Sequence, residues 1–174
     1  MTFFNLEQDA VEMDEICVSK KQNLWLYTAV SRYSSQILAY NLSDRTYKNV
    51  KTMLKSLPKA WSRRLKYTDG YQGYAKYISA CLHRSCKKFD GGTCTAEGVN
   101  NSLRHRCPFL VRRSSGPRVH SSGPRVAQAE DKKSQRSVAL PSLSRRVLFA
   151  IVAHNAAAKK RYEARLRKTT DAGE

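Results

Sequence analysis

Three apolar runs fill most of residues 11–42, and only short polar turns separate them. Links that short cannot carry a crossover, so the three strands must lie antiparallel as a meander. Residues 11–18 are β-branched and apolar at their end. Alternation puts Glu12, Asp14, Ile16 and Val18 on one face and Val11, Met13, Glu15 and Cys17 on the other. A turn at residues 20–23 leads into residues 24–30, which are continuously apolar, as expected of a strand covered on both faces. A second turn, residues 32–35, leads to a third strand over residues 36–42. The acidic cluster in the first strand predicts an exposed edge, where charge guards against aggregation.

Ser43 or Asp44 is placed to cap the helix that follows. Its apolar stripe is Tyr47, Val50, Met53, Leu54 and Leu57, opposite Lys48, Lys51 and Lys55, and Pro58 ends it. Residues 65–74 then form a strand that stops abruptly. Leu65, Tyr67 and Asp69 alternate onto one face, Gly70 breaks the run, and Tyr71, Tyr74, Tyr77 and Ile78 follow at helical spacing. A carboxylate at a strand end lies at the rim of a sheet, where open α/β sheets handle ligands. A turn or N-cap Asp is the plainer role for the same residue. Residues 95–106 have helical character, with Thr95 as cap and Glu97, Asn101, Arg104 and His105 along one face. Cys81, His83, Cys86, Cys94, His105 and Cys107 lie in the same region, but their irregular spacing, without a C-x-x-C pair, is unlike that of structural zinc sites.

Charge sets the partner class. The formal net charge of +18 is lopsided: residues 1–60 carry +2 and residues 61–174 carry +16. Such a surface binds polyanions, because phosphates neutralised by Lys and Arg release counterions. No run of eighteen apolar residues predicts a membrane span, and the N-terminus lacks the features of a signal peptide. Five unevenly spaced cysteines suit free thiols in a reducing, cytoplasmic compartment. From residue 114 the chain turns to Ser, Gly, Pro, Arg and Lys, and Ser-Ser-Gly-Pro-Arg-Val occurs twice in succession. That composition predicts a flexible basic linker over 114–141. A last helix is expected from Ser142 or Leu143 to about Lys168, with Val147, Leu148, Ile151 and Val152 able to dock and a strongly basic end.

These elements converge on three carboxylates. In a 3-2-1 meander extended by a fourth strand beside the first, Asp14 and Asp69 become neighbours, and a helix packed on the sheet brings Glu97 to the same edge. Carboxylates that close repel, and hard cations bridging them relieve the repulsion. Two divalent ions about 4 Å apart would clamp the attacking and leaving oxygens of an in-line phosphoryl displacement.

Met13-Asp14-Glu15-Ile16, Leu24-Trp25-Leu26 followed by Arg32, Tyr67-Thr68-Asp69-Gly70-Tyr71 and Glu97-Gly98-Val99-Asn100-Asn101-Ser102-Leu103-Arg104 resemble, in order, the catalytic half of a DDE transposase. The family they resemble is that of insertion sequence number one, short bacterial insertion elements. The likeness covers roughly residues 8–113, and Phe149-Ala150-Ile151 with His154-Asn155 is similar to the family's final helix. The resemblance implies an α/β fold with an RNase H-like mixed sheet, a three-stranded antiparallel meander plus parallel strands, flanked by helices. It implies a DDE catalytic domain over 1–113, the linker, and a basic C-terminal helix over 142–174. Asp14, Asp69 and Glu97 become the catalytic, metal-binding triad for two Mg²⁺ or Mn²⁺ ions. Asn101 and Arg104, with Arg106, Arg112 and Arg113, become DNA-binding candidates. The implied reaction is cleavage at element ends and strand transfer into target DNA, performed by an oligomer on DNA in the bacterial nucleoid. Family members generally recognise those ends through an N-terminal zinc-finger and helix-turn-helix region. With the triad beginning at residue 14, the chain resembles the downstream reading frame alone, which acts as a frameshift fusion with an upstream one. The serine-rich repeat stands where relatives run directly into the last helix, so a truncated or degenerate copy is one alternative. A non-catalytic basic nucleic-acid-binding protein is the other, since composition alone serves both.

Overall fold

The structure, a computed structural model, describes residues 9–86, 90–107, 110 and 140–171. The meander is present as β1 (Val11–Ser19), β2 (Leu24–Ser31) and β3 (Ile37–Asp44), paired antiparallel. Asn23 and Ser35 close its two turns with φ of 47° and 59°, the left-handed region. Next come α1 (Tyr47–Ser56) and the single turn α2 (Lys59–Ser62). β4 (Lys66–Thr68) then runs parallel to β1, with Val11 opposite Lys66 and Met13 opposite Thr68. α3 (Gln72–Ala75), a 3-10 turn at Ala80–Leu82 and β5 (His83–Ser85) complete a sheet of order β3-β2-β1-β4-β5. α4 (Cys94–Arg106) and α5 (Leu140–Asp171) follow.

Helices cover both faces. Val11, Met13, Tyr27 and Ala29 bury against Val50 and Met53 of α1, Leu57 just after it, and Tyr74 of α3. Ile16, Leu24, Leu26 and Val30 bury against Ala96, Val99 and Leu103 of α4 and Leu143, Val147 and Ile151 of α5. Each such large aliphatic contributes about 1.5–3 kcal/mol of transfer free energy. This mixed five-stranded sheet with helices on both sides is the RNase H-like α/β arrangement.

Several local expectations are corrected. β1 is the central strand, and its acidic residues do not guard an edge: Glu12 is fully buried and Glu15 nearly so. Buried charge needs partners, and both have them. Glu12 accepts the Ala96 N–H at 2.9 Å and faces Arg32 Nε at 3.1 Å, while Glu15 pairs with Arg45 and accepts the Tyr74 hydroxyl at 3.0 Å. Neither Ser43 nor Asp44 caps α1, because β3 runs through Asp44; Thr46 is the N-cap, without a side-chain cap bond. The strand over 65–69 shortens to Lys66–Thr68. The tyrosine-rich helix shrinks to one turn ending at Ala75, and at Ser79 (ψ 137°) the chain turns extended on its way to β5, yet Tyr74 and Ile78 still bury as their spacing demands. Thr93 rather than Thr95 precedes α4.

The repeats and the linker up to residue 139 lie outside the described residues. α5 spans 32 residues, about 48 Å at 1.5 Å per residue. It docks through Leu143, Val147, Ala150, Ile151, His154 and Ala158, whereas Leu148, Phe149 and Val152 are exposed. Two polar side chains fix its position. Asn155 Oδ1 accepts the Ile37 N–H at 2.8 Å, and its Nδ2 donates to the Ile37 carbonyl at 2.9 Å. His154 Nε2 donates to the Ser35 carbonyl at 2.9 Å, which places the proton on that nitrogen, and Nδ1 faces Ser102 Oγ at 3.3 Å. Burial pushes the His154 pKa down.

Candidate active site

The parallel pairing of β1 and β4 ends at Met13 and Thr68, so the next residues, Asp14 and Asp69, emerge together at the carboxyl ends of adjacent strands. Ligand sites in open α/β sheets sit at such ends. Ligand-type oxygens of Asp14, Glu15 and Asp69 lie within 4.8 Å of one another, the one group of three or more metal-type donors among the described residues.

Each carboxylate is held from a different direction. Asp14 faces the α4 side, where its Oδ2 accepts from Asn100 Nδ2 at 2.8 Å. Its Oδ1 accepts the Glu15 N–H at 2.8 Å. The hydroxyl of Thr28, opposite Asp14 on β2, lies 3.1 Å from Asn100 Oδ1 and so fixes that amide. Glu15 points to the other side of the sheet, where Tyr74 and Arg45 hold its two oxygens. Asp69 Oδ1 accepts the Tyr71 N–H at 3.0 Å, the Asx turn that leads into α3. A turn role and a site role thus coincide in Asp69.

Burial raises the Asp14 pKa, and the charges of Asp69 and Glu97 raise it further against the lowering bonds from Glu15 and Asn100. Burial, then Asp69, pushes Glu15 up to about 7 despite Arg45. Tyr74, deeply buried beside Glu15, is raised well above the ordinary phenol and stays a donor. Among the described residues neither Asp14 nor Asp69 has an ion-pair partner. The oxygens of Asp14 and Asp69, close together and not neutralised by a protein cation, are donors suited to a hard divalent ion such as Mg²⁺ or Mn²⁺. The residues fit such an ion.

The other sequence candidates stand around this centre. Glu97 lies outside the 4.8 Å group, exposed in the first turn of α4, with Thr93 Oγ1 3.5 Å from its Oε1, although its charge is felt at Asp14. Asn101 is exposed and accepts from Arg104 Nη1 at 2.8 Å, so it turns away from Asp14. Arg106 is exposed, its Nε 3.4 Å from Ser102 Oγ. Arg112 and Arg113 lie outside the described residues. Sequence reasoning missed Asn100, Glu15 and Arg45. The stripe Ala96, Val99 and Leu103 was the available signal for Asn100, because a helix burying those residues turns position 100 to the sheet as well.

The described cysteines are all free thiols, and no helix among the described residues is long and apolar enough to cross a membrane. No curated protein matches the chain. A family model described as IS1 transposase matches residues 9–119, a span that contains every carboxylate of the centre.

Proposed function

Because the chain belongs to the IS1 transposase family, we propose that the Asp14–Asp69 edge is the centre of a DDE polynucleotidyl transferase that cuts and joins DNA with divalent metal ions. The observation that carries this reading is the convergence of Asp14, Glu15 and Asp69 within 4.8 Å at the ends of two parallel strands. Asp14 and Asp69 are the ligands, and Glu97 is the third, offered from the first turn of α4. When bound, divalent ions there would lower the pKa of a coordinated water and neutralise charge on the phosphate.

This chain's own residues set the geometry. Asn100 and the Glu15 N–H orient the Asp14 carboxylate, while the Tyr71 N–H holds one Asp69 oxygen and leaves Oδ2 for a ligand. Glu15 is tied to Arg45 and Tyr74 and acts as a support for the edge. In cleavage, a water oxygen bonds to phosphorus as the bond to the strand's 3′ oxygen breaks. In strand transfer, the freed 3′ hydroxyl oxygen bonds to a target phosphorus as the bond from that phosphorus to its own 3′ oxygen breaks, and the proton given up by the attacking hydroxyl is balanced by the one the leaving 3′ oxygen takes up.

Residues 1–113 would form the catalytic domain and 114–141 the linker, with α5, which begins at Leu140, as a basic helix along the DNA. Its DNA partners would be element ends and target, with an upstream-frame recognition region and further copies of the chain completing the assembly in the nucleoid. Arg104, Arg106, Arg112 and Arg113 would contact the backbone, and Asn101 would act through Arg104.

The test is calorimetric titration with Mg²⁺ or Mn²⁺ of the wild type and of Asp14→Asn/Asp69→Asn, followed by cleavage of end-containing DNA. Binding and cleavage abolished together in the double variant are expected. Cleavage that survives Asp69→Ala would sink the assignment, and wild-type DNA binding without metal binding would favour the plain nucleic-acid-binding alternative.

A further inference from the structure

Beside the acidic edge, cations and aromatic rings alternate across the surface of α1 and α3. Arg45 lies between two rings, 4.3 Å from the Trp25 centroid and 4.4 Å from that of Tyr71. Tyr71 meets Tyr47 at 5.9 Å between centroids. Lys76 sits over Tyr47 at 5.4 Å and over Tyr77 at 6.0 Å, and Lys51 caps Tyr77 at 5.9 Å. The row starts at the centre itself, since Arg45 pairs with Glu15 and the Tyr71 N–H binds Asp69. It then leads outward along α1.

We propose that this row is a track for an unpaired DNA strand leaving the Asp14–Asp69 centre. The inference rests on the reading of that centre as a DNA-processing site. The rings hold the cations in place and so reduce the rotamer freedom lost when phosphates bind. Tyr47 is exposed at 42%, and Lys51 and Lys76 are exposed as well, so beyond the Arg45–Glu15 pair both charge and ring surface are open to a ligand. The pattern also selects the form of the DNA. Lys and Arg alone would serve a duplex equally, whereas aromatic surface adds affinity only where base faces are free to stack. No carboxylate is paired with Lys51 or Lys76 among the described residues, so no anion of the protein competes for them. A scissile phosphate at the centre would thus have its flanking nucleotides drawn along the row as a single strand.

The experiment uses the full chain in EDTA, so that DNA binding is read without metal. Anisotropy titrations compare a labelled thymidine oligonucleotide with a hairpin duplex, for the wild type, Tyr47→Leu, Tyr47→Phe and Lys51→Gln/Lys76→Gln. The wild type should prefer the single strand. Tyr47→Leu should weaken single-strand binding roughly fivefold or more while leaving duplex binding unchanged, and Tyr47→Phe, which keeps the ring, should retain it. The lysine pair should lower the single-strand salt slope by about 1.4. Equal losses on both DNAs would make the row a duplex contact and overturn the proposal. Unchanged binding in every variant, or no single-strand binding by the wild type, would overturn it as well. Mn²⁺ affinity measured on the same variants separates the two readings: the track can fail with metal binding intact, and the centre can fail with the track intact.

Discussion

Replacing Asn155 with alanine removes both hydrogen bonds that this amide makes to the Ile37 backbone, at 2.8 and 2.9 Å. Each such bond contributes about 1 kcal/mol net, and a backbone group left dry costs a further 1–3 kcal/mol. Ile37 is buried at 6% exposure, so water replaces the lost partners only in part. Asn155→Ala should therefore destabilise the chain by about 2–4 kcal/mol. Asn155→Asp should cost at least as much, because it keeps the acceptor for the Ile37 N–H but turns a carboxylate oxygen toward the Ile37 carbonyl. Urea unfolding followed by far-UV circular dichroism measures this. With m of about 1–3 kcal/mol/M, a loss of 2–4 kcal/mol moves the midpoint by about 0.7 M or more. Ala156, exposed and adjacent, provides the control, and Ala156→Ser should change stability by less than about 0.5 kcal/mol. If Asn155→Ala behaves like that control, the amide does not anchor α5 to β3, and the account of how the last helix is seated is wrong.

Three further outcomes follow from the geometry. Burial lowers the His154 pKa, so its contribution to stability is full above the ordinary histidine value near 6.5 and is lost as pH falls below it toward the folded value; in His154→Gln the urea midpoint should fall less between pH 7.5 and pH 5 than in the wild type. Asn100→Ala should weaken Mn²⁺ binding about 10–100-fold in calorimetry, because Asp14 loses the amide that orients it, and an unchanged affinity would remove Asn100 from the site. A methyl group at Gly92 would run into the Cys86 sulfur, so Gly92→Ala should lower stability by about 1–3 kcal/mol in thermal unfolding, partly relieved when Cys86→Ala is added.

The meander and the place of β4 beside β1 were legible because apolar runs and short turns leave few ways to pair. β5 was not, because a three-residue strand of His83, Arg84 and Ser85 has no apolar pattern and exists only by pairing with β4. The misreading of β1 as an edge has the same root. The partners that make Glu12 and Glu15 tolerable inside, Ala96 and Tyr74, lie 84 and 59 positions away, and no window of sequence contains them. That Asp14 and Asp69 come together was legible from strand order. Asn100, which orients Asp14, went unnoticed beside Asn101: on a helix one residue is a rotation of about 100°, which turns Asn100 to the sheet and Asn101 to solvent. Of the four residues expected to dock from α5, Val147 and Ile151 do and Leu148 and Val152 do not, since which side of α5 docks depends on β3 and α4.

The span between Asp14 and the amide that orients it, 86 positions along the chain, also has a meaning in time. A ribosome releases Asp14, Glu15 and Asp69 well before α4, at roughly 5–20 residues each second. Until Asn100 has emerged and docked, the carboxylate at position 14 lacks its guide, and Glu12 lacks the Ala96 N–H that makes its burial tolerable. Translation order thus imposes an assembly order, in which the acidic edge is finished only once the helix crossing its far side has been made.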